Sequence, residues 1–451
     1  MDRRNVLKLG VATAALPFAA AMGTPPQRYD VIIIGAGLAG LSAARRLEAS
    51  GVTVLVLEAR NRAGGRAYTG YDMPDRPEFG AIQVGAEYTE VRKAAAALNV
   101  PIGPYPFNAP FRAQAYGSGD GPAISADALK QRGVPTATPL MLRLMRETLP
   151  IKDVAALPDM MDMSVGQAMR QLGFSDVETR VFTANGNFNN PETASMKAMW
   201  RGLLLYSTGQ SDVLLNGTQS LADAMANALS TPPEYGAVVS QITDQGDSID
   251  VTCADGRAFK AKACIATIPP ATMASIRIDA PLPDSWAKAQ ASEVGTHVTQ
   301  LFIRTEPFWQ EDGLPAGMWT DGPLGRFFPR VDLTGQVIGY KIWVNGPDVP
   351  AIDALPPTEL NALIKAELLR LRPASQGQFT FDRRMAWAED PFARGAFYAW
   401  RTGHVKETLN RFAEPYGRLY FAGVHRTWDA PGLEGACRSG IAAAQQVFQA
   451  I

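Results

Sequence analysis

Cysteine and histidine are scarce in this 451-residue chain, with three of each. Three cysteines (Cys253, Cys264, Cys437) cannot build a disulfide framework and read as structural thiols. Three dispersed histidines (His297, His404, His425) offer no metal-ligand cluster, so no metal site is expected. Excess charge is missing too: 43 Lys and Arg face 44 Asp and Glu, for a formal net charge of -1. That balance excludes a nucleic-acid footprint and a polybasic membrane patch. The sequence shows no internal repeat and no heptad. Hydrophobic residues, at 46%, are ample for large cores, and 41 glycines with 33 prolines imply many ordered loops. The length suits two or three domains.

The first residues, MDRRNVLKLGVATAALPFAAAMG, do not read as fold. Arg3 and Arg4 precede a short, mild apolar run from Leu9 to Ala21. A membrane span needs about 20 apolar residues, so no stable membrane anchor is expected. Paired arginines, the weak apolar segment and Ala19-Ala20-Ala21 together resemble a twin-arginine export signal over residues 1–22, implying a periplasmic protein. That route carries folded proteins and suits a chain that loads a cofactor before export.

Tyr29 to Ile34 (YDVIII) is an apolar run of strand length. It ends at Gly35-Ala36-Gly37-Leu38-Ala39-Gly40, and LSAARRLEASG comes next as a helix pattern closed by Gly51. VTVLVLE is then a second strand. This strand–turn–helix–strand context turns a weak glycine motif into a strong dinucleotide signature. Gly35 permits the tight turn, Gly37 lets backbone approach a diphosphate, and Gly40 lets helix and strand pack closely. The helix N-terminus presents unpaired N–H groups and a positive dipole end to phosphates. Glu58, closing the second strand, is placed to accept from a ribose 2′-hydroxyl and disfavours a 2′-phosphate there.

The run from Glu58 onward is less ordinary: EARNRAGGR places Arg60, Arg62 and Arg66 around Gly64 and Gly65. Arg60 and Arg66 can neutralise a diphosphate from the side opposite the helix, and the glycine turn adds backbone donors. A nicotinamide dinucleotide fold does not require this second clamp. The run Glu58, Ala59, Arg60, Arg62, Gly64, Gly65, Arg66 resembles the signature of the flavin monoamine oxidase superfamily, whose cofactor is FAD.

The resemblance covers nearly all of the chain after the export signal. EFGAIQVGAEY (Glu78–Tyr88) is similar to the family segment beside the flavin ring and implicates Ala81, Ile82 and Gln83. NPETASMKAMWRGLLLYSTG is similar to the helical part of its substrate domain, and LLNGTQSLADAMANAL to the return into the FAD domain. By the match to the family's strand pair, Val238 presents backbone to the adenine. GRLYFAGVHRTWDAPGLEGACRSGIAAAQQV resembles the closing FAD motif, implicating Gly423, Val424 and Leu433. A helix starting there would aim its positive end at the flavin and stabilise negative charge on the reduced ring. The implied fold is α/β: a Rossmann-like, doubly wound FAD-binding domain (27–86, 213–290 and 403–451) plus a mixed α+β substrate domain. The latter takes 87–212, expected to be helical, and 291–402, expected as antiparallel strands with a helix near Thr358–Leu371. The pocket is expected between the two.

Several positions depart from the family pattern. VGTHVTQLFIRTEPFW resembles the strand that usually supplies a lysine near the flavin, and on EPFW that position is Thr299. Thr299 can orient a water but brings no positive charge. His297, two residues earlier on the same strand face, reads either as a second catalytic candidate or as a wall residue. Ala396 stands where some members carry a cysteine bonded to FAD, so noncovalent FAD is expected, with Trp387 beside it. The family often flanks its amine with two aromatic rings. Phe397 matches the first, the second position falls on Gly432, and Tyr398, Trp428 or Trp400 are the compensating candidates. No acid or arginine is assigned to the substrate, and Arg201 and Arg326 stay unplaced, which favours an apolar or aromatic amine.

The resemblance therefore implies FAD-dependent oxidation of an amine C–N bond by hydride transfer to flavin N5. Reoxidation is expected by oxygen or by an exported cytochrome or quinone. The alternative is FAD-dependent desaturation or double-bond isomerisation of a C–C substrate. A flavoprotein kept only for binding is a third, non-enzymatic option. The oligomeric state is open, a dimer being one option.

Overall fold

The computed structural model describes residues 28–104, 114–117, 119–148, 161–206, 212–284, 286, 290 and 295–451. The export-signal expectation (1–22) lies outside them.

A seven-stranded sheet runs in the order Arg277–Asp279, Val239–Asp244, Ile249–Cys253, Ala258–Ala266, Arg28–Ile34, Val54–Leu57, with Leu419–Phe421 also paired to Ala258–Ala266. Arg28–Ile34 lies parallel to both of its neighbours, and Leu419–Phe421 is parallel to its own. A strand buried on both faces needs apolar residues at every position, as its buried part Val31–Ile34 supplies. Val31 and Ile33 join one core, with Leu41 and Ala44 of the helix Leu38–Glu48 and Ala443 and Ala444 of the helix Gly432–Ala450. Ile32 and Ile34 join the opposite core, with Trp286, Phe412 and Phe421. The fold is thus α/β, with a doubly wound sheet at its centre.

A six-stranded sheet has the order Thr380–Ala386, Val298–Arg304, Val337–Asn345, Arg326–Val331, Gly317–Thr320, Gln114–Gly117. Its pairs are antiparallel except the last, which is parallel. Alternation sorts its side chains. Leu301, Ile303, Phe327, Tyr340, Ile342 and Val344 pack with Leu360, Ile364 and Leu368 of the helix Pro357–Leu371. Gln300, Phe302, Arg326, Phe328, Lys341 and Trp343 take the other face.

Six helices, Thr89–Ala97, Ala126–Gln131, Ala137–Thr148, Val165–Gln171, Asp176–Asn185 and Met196–Tyr206, lie among the described residues of the stretch expected to be helical. Ser164 and Ser175 open two of them with capping boxes. The wholly helical expectation for 87–212 is corrected. Ile102–Pro104 pairs with Asp212–Leu214, and Gln114–Gly117 forms the edge of the six-stranded sheet. Both strands are too short to leave a periodic signal. The three cysteines are buried free thiols. Among the described residues no helix is long and apolar enough to cross a membrane, and no cluster of His, Cys, Asp or Glu could hold a metal.

Candidate cofactor and substrate site

A cavity of about 1300 Å³ runs from the glycine turn of the doubly wound sheet to the polar face of the six-stranded sheet. At the first end, Gly35 has φ of 105°, a conformation that side chains resist. A Cβ on Gly40 would lie 2.0 Å from the Gly35 carbonyl oxygen, so only glycine lets the helix seat on the turn. Gly37 is different: nothing lies within 4 Å of where its Cβ would be, and it lines the cavity with Gly35, Leu38 and Ala39. The first-turn amides there have no intrahelical partner by geometry. Backbone, dipole and empty space together fit a diphosphate.

Glu58 is buried behind this turn. One carboxylate oxygen accepts from the Ala36 N–H at 2.8 Å and the other from the Arg60 N–H at 2.9 Å. Each oxygen keeps a lone pair for a ligand, and Glu58 and Ala59 both line the cavity. The arginines divide their roles. Arg60 is paired with Asp390 at 2.5 Å and stacks on Phe392. Arg62 donates to the carbonyls of Ala63 and Gly65 and so braces the glycine turn. Arg66 donates to the Ala396 carbonyl at 3.0 Å and has no carboxylate partner among the described residues. Burial, with the neighbouring charge of Arg60, pushes its pKa down to about 10. Arg66 is thus the cation that suits a diphosphate best, whereas Arg60 is largely neutralised.

Gly64, Gly65, Ala81, Ile82, Gln83, Val238, Gly423, Val424 and Leu433 all line the same cavity. Leu433 sits in the first turn of the helix Gly432–Ala450, whose end opens on the cavity. Glu434 points elsewhere: it accepts from Glu90 N, Val91 N and Thr89 Oγ1 and caps the helix Thr89–Ala97. Trp387 is buried, and its indole N–H donates to the Phe79 carbonyl at 2.8 Å. Gln300 donates to that carbonyl at 2.6 Å, while its own Oε1 has no partner among the described residues.

The substrate end joins Phe397, Tyr398, Trp400 and Gly432 to the sheet face. Phe397 faces Trp343, with ring centroids 6.5 Å apart and planes at 37°. Gly432 contributes no ring. Trp428 is not on the cavity wall; it packs on the helical core and meets Trp400 edge-on at 5.8 Å. Arg201 lines the cavity while bonded to the carbonyls of Trp428, Thr427 and Ala430. Glu78, held by Thr69 and Thr218, has its pKa raised to about 7 by burial. Lys341 has its pKa lowered to about 8 by burial, with Glu78 opposing the shift.

Two expectations are corrected. Thr299 is fully buried on the opposite sheet face, and its hydroxyl donates to Asp353 at 2.5 Å. His297 lies on that same side, with its backbone N–H bonded to Asn189. Desolvation lowers its pKa against the pull of Asp353. Neither residue lines the cavity; Gln300 does. A one-residue slip along a strand exchanges its faces. Val298–Arg304 keeps an unbroken alternation against Val337–Asn345, and the register shift against Thr380–Ala386 skips Asp382 on that neighbouring strand, so the count from EPFW lands one residue short of the cavity face. Leu301 and Ile303, in phase with Thr299, carry the signal that this set faces the core. Lys341, Arg326 and Glu78 join the cavity wall without having been site candidates from the sequence. The signal for the two cations is a basic residue set within an otherwise apolar strand run, in RFFPRV and VIGYKIWVN.

Fold and cavity together fit a dinucleotide-dependent enzyme whose nucleotide cradle opens on a second, aromatic-lined chamber. Residues 38–448 match the family model described as flavin containing amine oxidoreductase. The chain belongs to that family, whose members are FAD-dependent amine-oxidising enzymes. Similar proteins include the (S)-6-hydroxynicotine oxidase of Paenarthrobacter nicotinovorans, 26% identical over 93% of this chain and 99% of that one. The flavin-dependent L-tryptophan oxidase of Lentzea aerocolonigenes is 24% identical over 92% and 97%. Among solved structures, putrescine oxidase bound to putrescine has a TM-score of 0.76 at 21% identity, covering 94% of this chain and 100% of that one. Cyclohexylamine oxidase from Brevibacterium oxydans has a TM-score of 0.75 at 19% identity, with 94% and 99% covered.

Proposed function

We propose that the protein holds FAD noncovalently and oxidises the C–N bond of an amine to an imine, which water then hydrolyses. The observation that carries this reading is the single cavity joining the Gly35–Glu58–Arg66 cradle to the Phe397 and Trp343 rings. FAD supplies the hydride acceptor when bound; the protein supplies orientation, electrostatics and exclusion of water. Glu58 and Val238 would hold the adenosine, while the amides after Gly37 and the Arg66 guanidinium would hold the diphosphate. Phe397 and Trp343 would flank the amine. Gln300, whose Oε1 has no partner among the described residues, takes the orienting role expected of Thr299. Ala396 offers no nucleophile for a covalent link.

Anaerobic mixing of the yellow protein with a panel of amines should bleach the flavin, with ammonia released on turnover. Failure of every amine to bleach it would overturn the reading, and bleaching without ammonia would point to C–C oxidation. Acid precipitation should leave FAD in the supernatant. The reoxidant proposed is a cytochrome or quinone ahead of oxygen, because Gln300 brings no charge to the strand position where a lysine is usual; stopped-flow reoxidation by each would decide. Residues 1–22 are proposed to direct export. Arg3→Lys with Arg4→Lys should keep the protein out of the periplasm.

A further inference from the structure

The wall of the cavity opposite the nucleotide end carries two cations that no described acid pairs with. Cross-strand register places them together: Arg326 faces Trp343, and Phe328 faces Lys341. Arg326 is only 8% exposed. Its Nη2 donates to the neutral side chains of Asn187 at 3.0 Å and Asn345 at 2.6 Å, and its Nε has no partner among the described residues. Trp319, Phe328 and Trp343 surround it, with ring centroids 5.5–5.7 Å from the guanidinium carbon. The Lys341 ammonium lies 5.7 Å from Trp343 and 5.9 Å from Phe328, and makes no hydrogen bond or ion pair with the described residues. The two carboxylates nearest in effect, Glu78 and Asp75, are engaged elsewhere, with Thr218 and Arg330.

The contrast with other buried arginines is instructive. Arg330, on the same strand face as Arg326, is gripped by Asp75 and Asp382. Arg372, fully buried, is gripped by Asp312. Those two buried arginines are each given an acid, and Arg326 is not. An unpaired buried cation is costly, and an anion entering the cavity offsets that cost. The same two charges repel the ammonium of a simple amine.

We propose, building on the amine-oxidation reading above, that the substrate carries a carboxylate as well as its amine, and that Arg326 and Lys341 bind that carboxylate. The aromatic rings hold the apolar part beside it. The substrate class is then an amino acid or a derivative that keeps its acid, not a plain monoamine or polyamine.

The test uses the FAD-loaded enzyme and reads ligand binding from the visible flavin spectrum. Benzoate and benzamide, alike in shape and different in charge, are the probes. Benzoate should bind about tenfold or more tighter than benzamide. Lys341→Met, which keeps the apolar stem, should weaken benzoate by about tenfold and leave benzamide nearly unchanged, and Arg326→Gln should do the same. Benzoate binding no tighter than benzamide, or untouched by Lys341→Met, overturns the proposal; the lysine variant decides if the arginine variant does not fold. Phenethylamine and phenylalanine, which differ by the carboxylate alone, are then mixed anaerobically with the wild type, and phenylalanine should reduce the flavin faster. Bleaching by phenethylamine without any preference for benzoate sinks the carboxylate claim alone. A benzoate preference with no bleaching by any amine sinks the oxidation reading alone.

Discussion

The two ends of the cavity handle charge in opposite ways. At the nucleotide end, backbone does most of the holding: helix amides, a glycine turn, and one acid already bonded to two N–H groups. Its three arginines are close in sequence, and two of them are satisfied by Asp390 or by carbonyls. At the sheet end, side chains line the cavity, and two cations from different strands have no acid partner among the described residues. A cofactor site present in every catalytic cycle can be built from local backbone. On the proposed reading, a substrate site that empties and refills keeps its unpaired charge until the ligand arrives.

That comparison can be broken in several places. The largest effect is expected where a buried cation is paired. Asp75→Ala strips Arg330 of one acid and should cost about 3 kcal/mol, read as a lower denaturant midpoint. A negligible cost would erase the distinction between paired and unpaired arginines. Next, Glu58→Ala leaves the Ala36 N–H without its acceptor and removes the ribose ligand. Two charge-assisted bonds of that kind are worth roughly 3 kcal/mol, so FAD should bind about a hundredfold more weakly, measured by titrating the apoprotein.

The sheet end should respond in the opposite direction. Lys341→Met removes an uncompensated charge and should stabilise the ligand-free protein by about 1–2 kcal/mol. The Lys341 pKa falls from 10.5 unfolded to about 8 folded, so the folded state binds its proton more weakly. Stability lost to this group is complete below pH 8 and recovers as pH rises towards 10.5. Glu78, raised from 4.5 to about 7, binds its proton more tightly when folded, so its contribution declines as pH rises between those values. Glu78, Asp75 and Arg326 all act on Lys341, so melting curves of Lys341→Met and Glu78→Gln from mildly acidic to alkaline pH should each lose one limb of this profile. The smallest effect is expected at Thr299→Val, costing about 1 kcal/mol through Asp353 and leaving flavin reduction unchanged. Gln300→Leu should shift the flavin spectrum. If Thr299→Val instead shifts it, the face assignment fails.

Much of the nucleotide end is legible in the sequence because its parts are adjacent in the chain. Gly35, Gly37, Gly40 and Glu58 lie within one strand–turn–helix–strand unit, and local rules for glycine, helix ends and strand ends suffice to read it. Trp387 and Phe397 are reached through a motif resemblance, and both line the cavity. The division of labour among Arg60, Arg62 and Arg66 is not legible. Asp390 and Ala396 each lie 330 residues from their arginine and decide which guanidinium is left for a ligand.

The sequence by itself determined that a dinucleotide cradle forms, since steric permission at glycine and hydrogen-bond need at a helix end are properties of a few neighbouring residues. Only the tertiary structure decided the proposed substrate wall. Strand register sets which alternate side chains face the cavity, and it turned Thr299 into the core, Gln300 towards the cavity, and Arg326 and Lys341 onto one surface. A face is a relation between strands, so it exists only once they are paired.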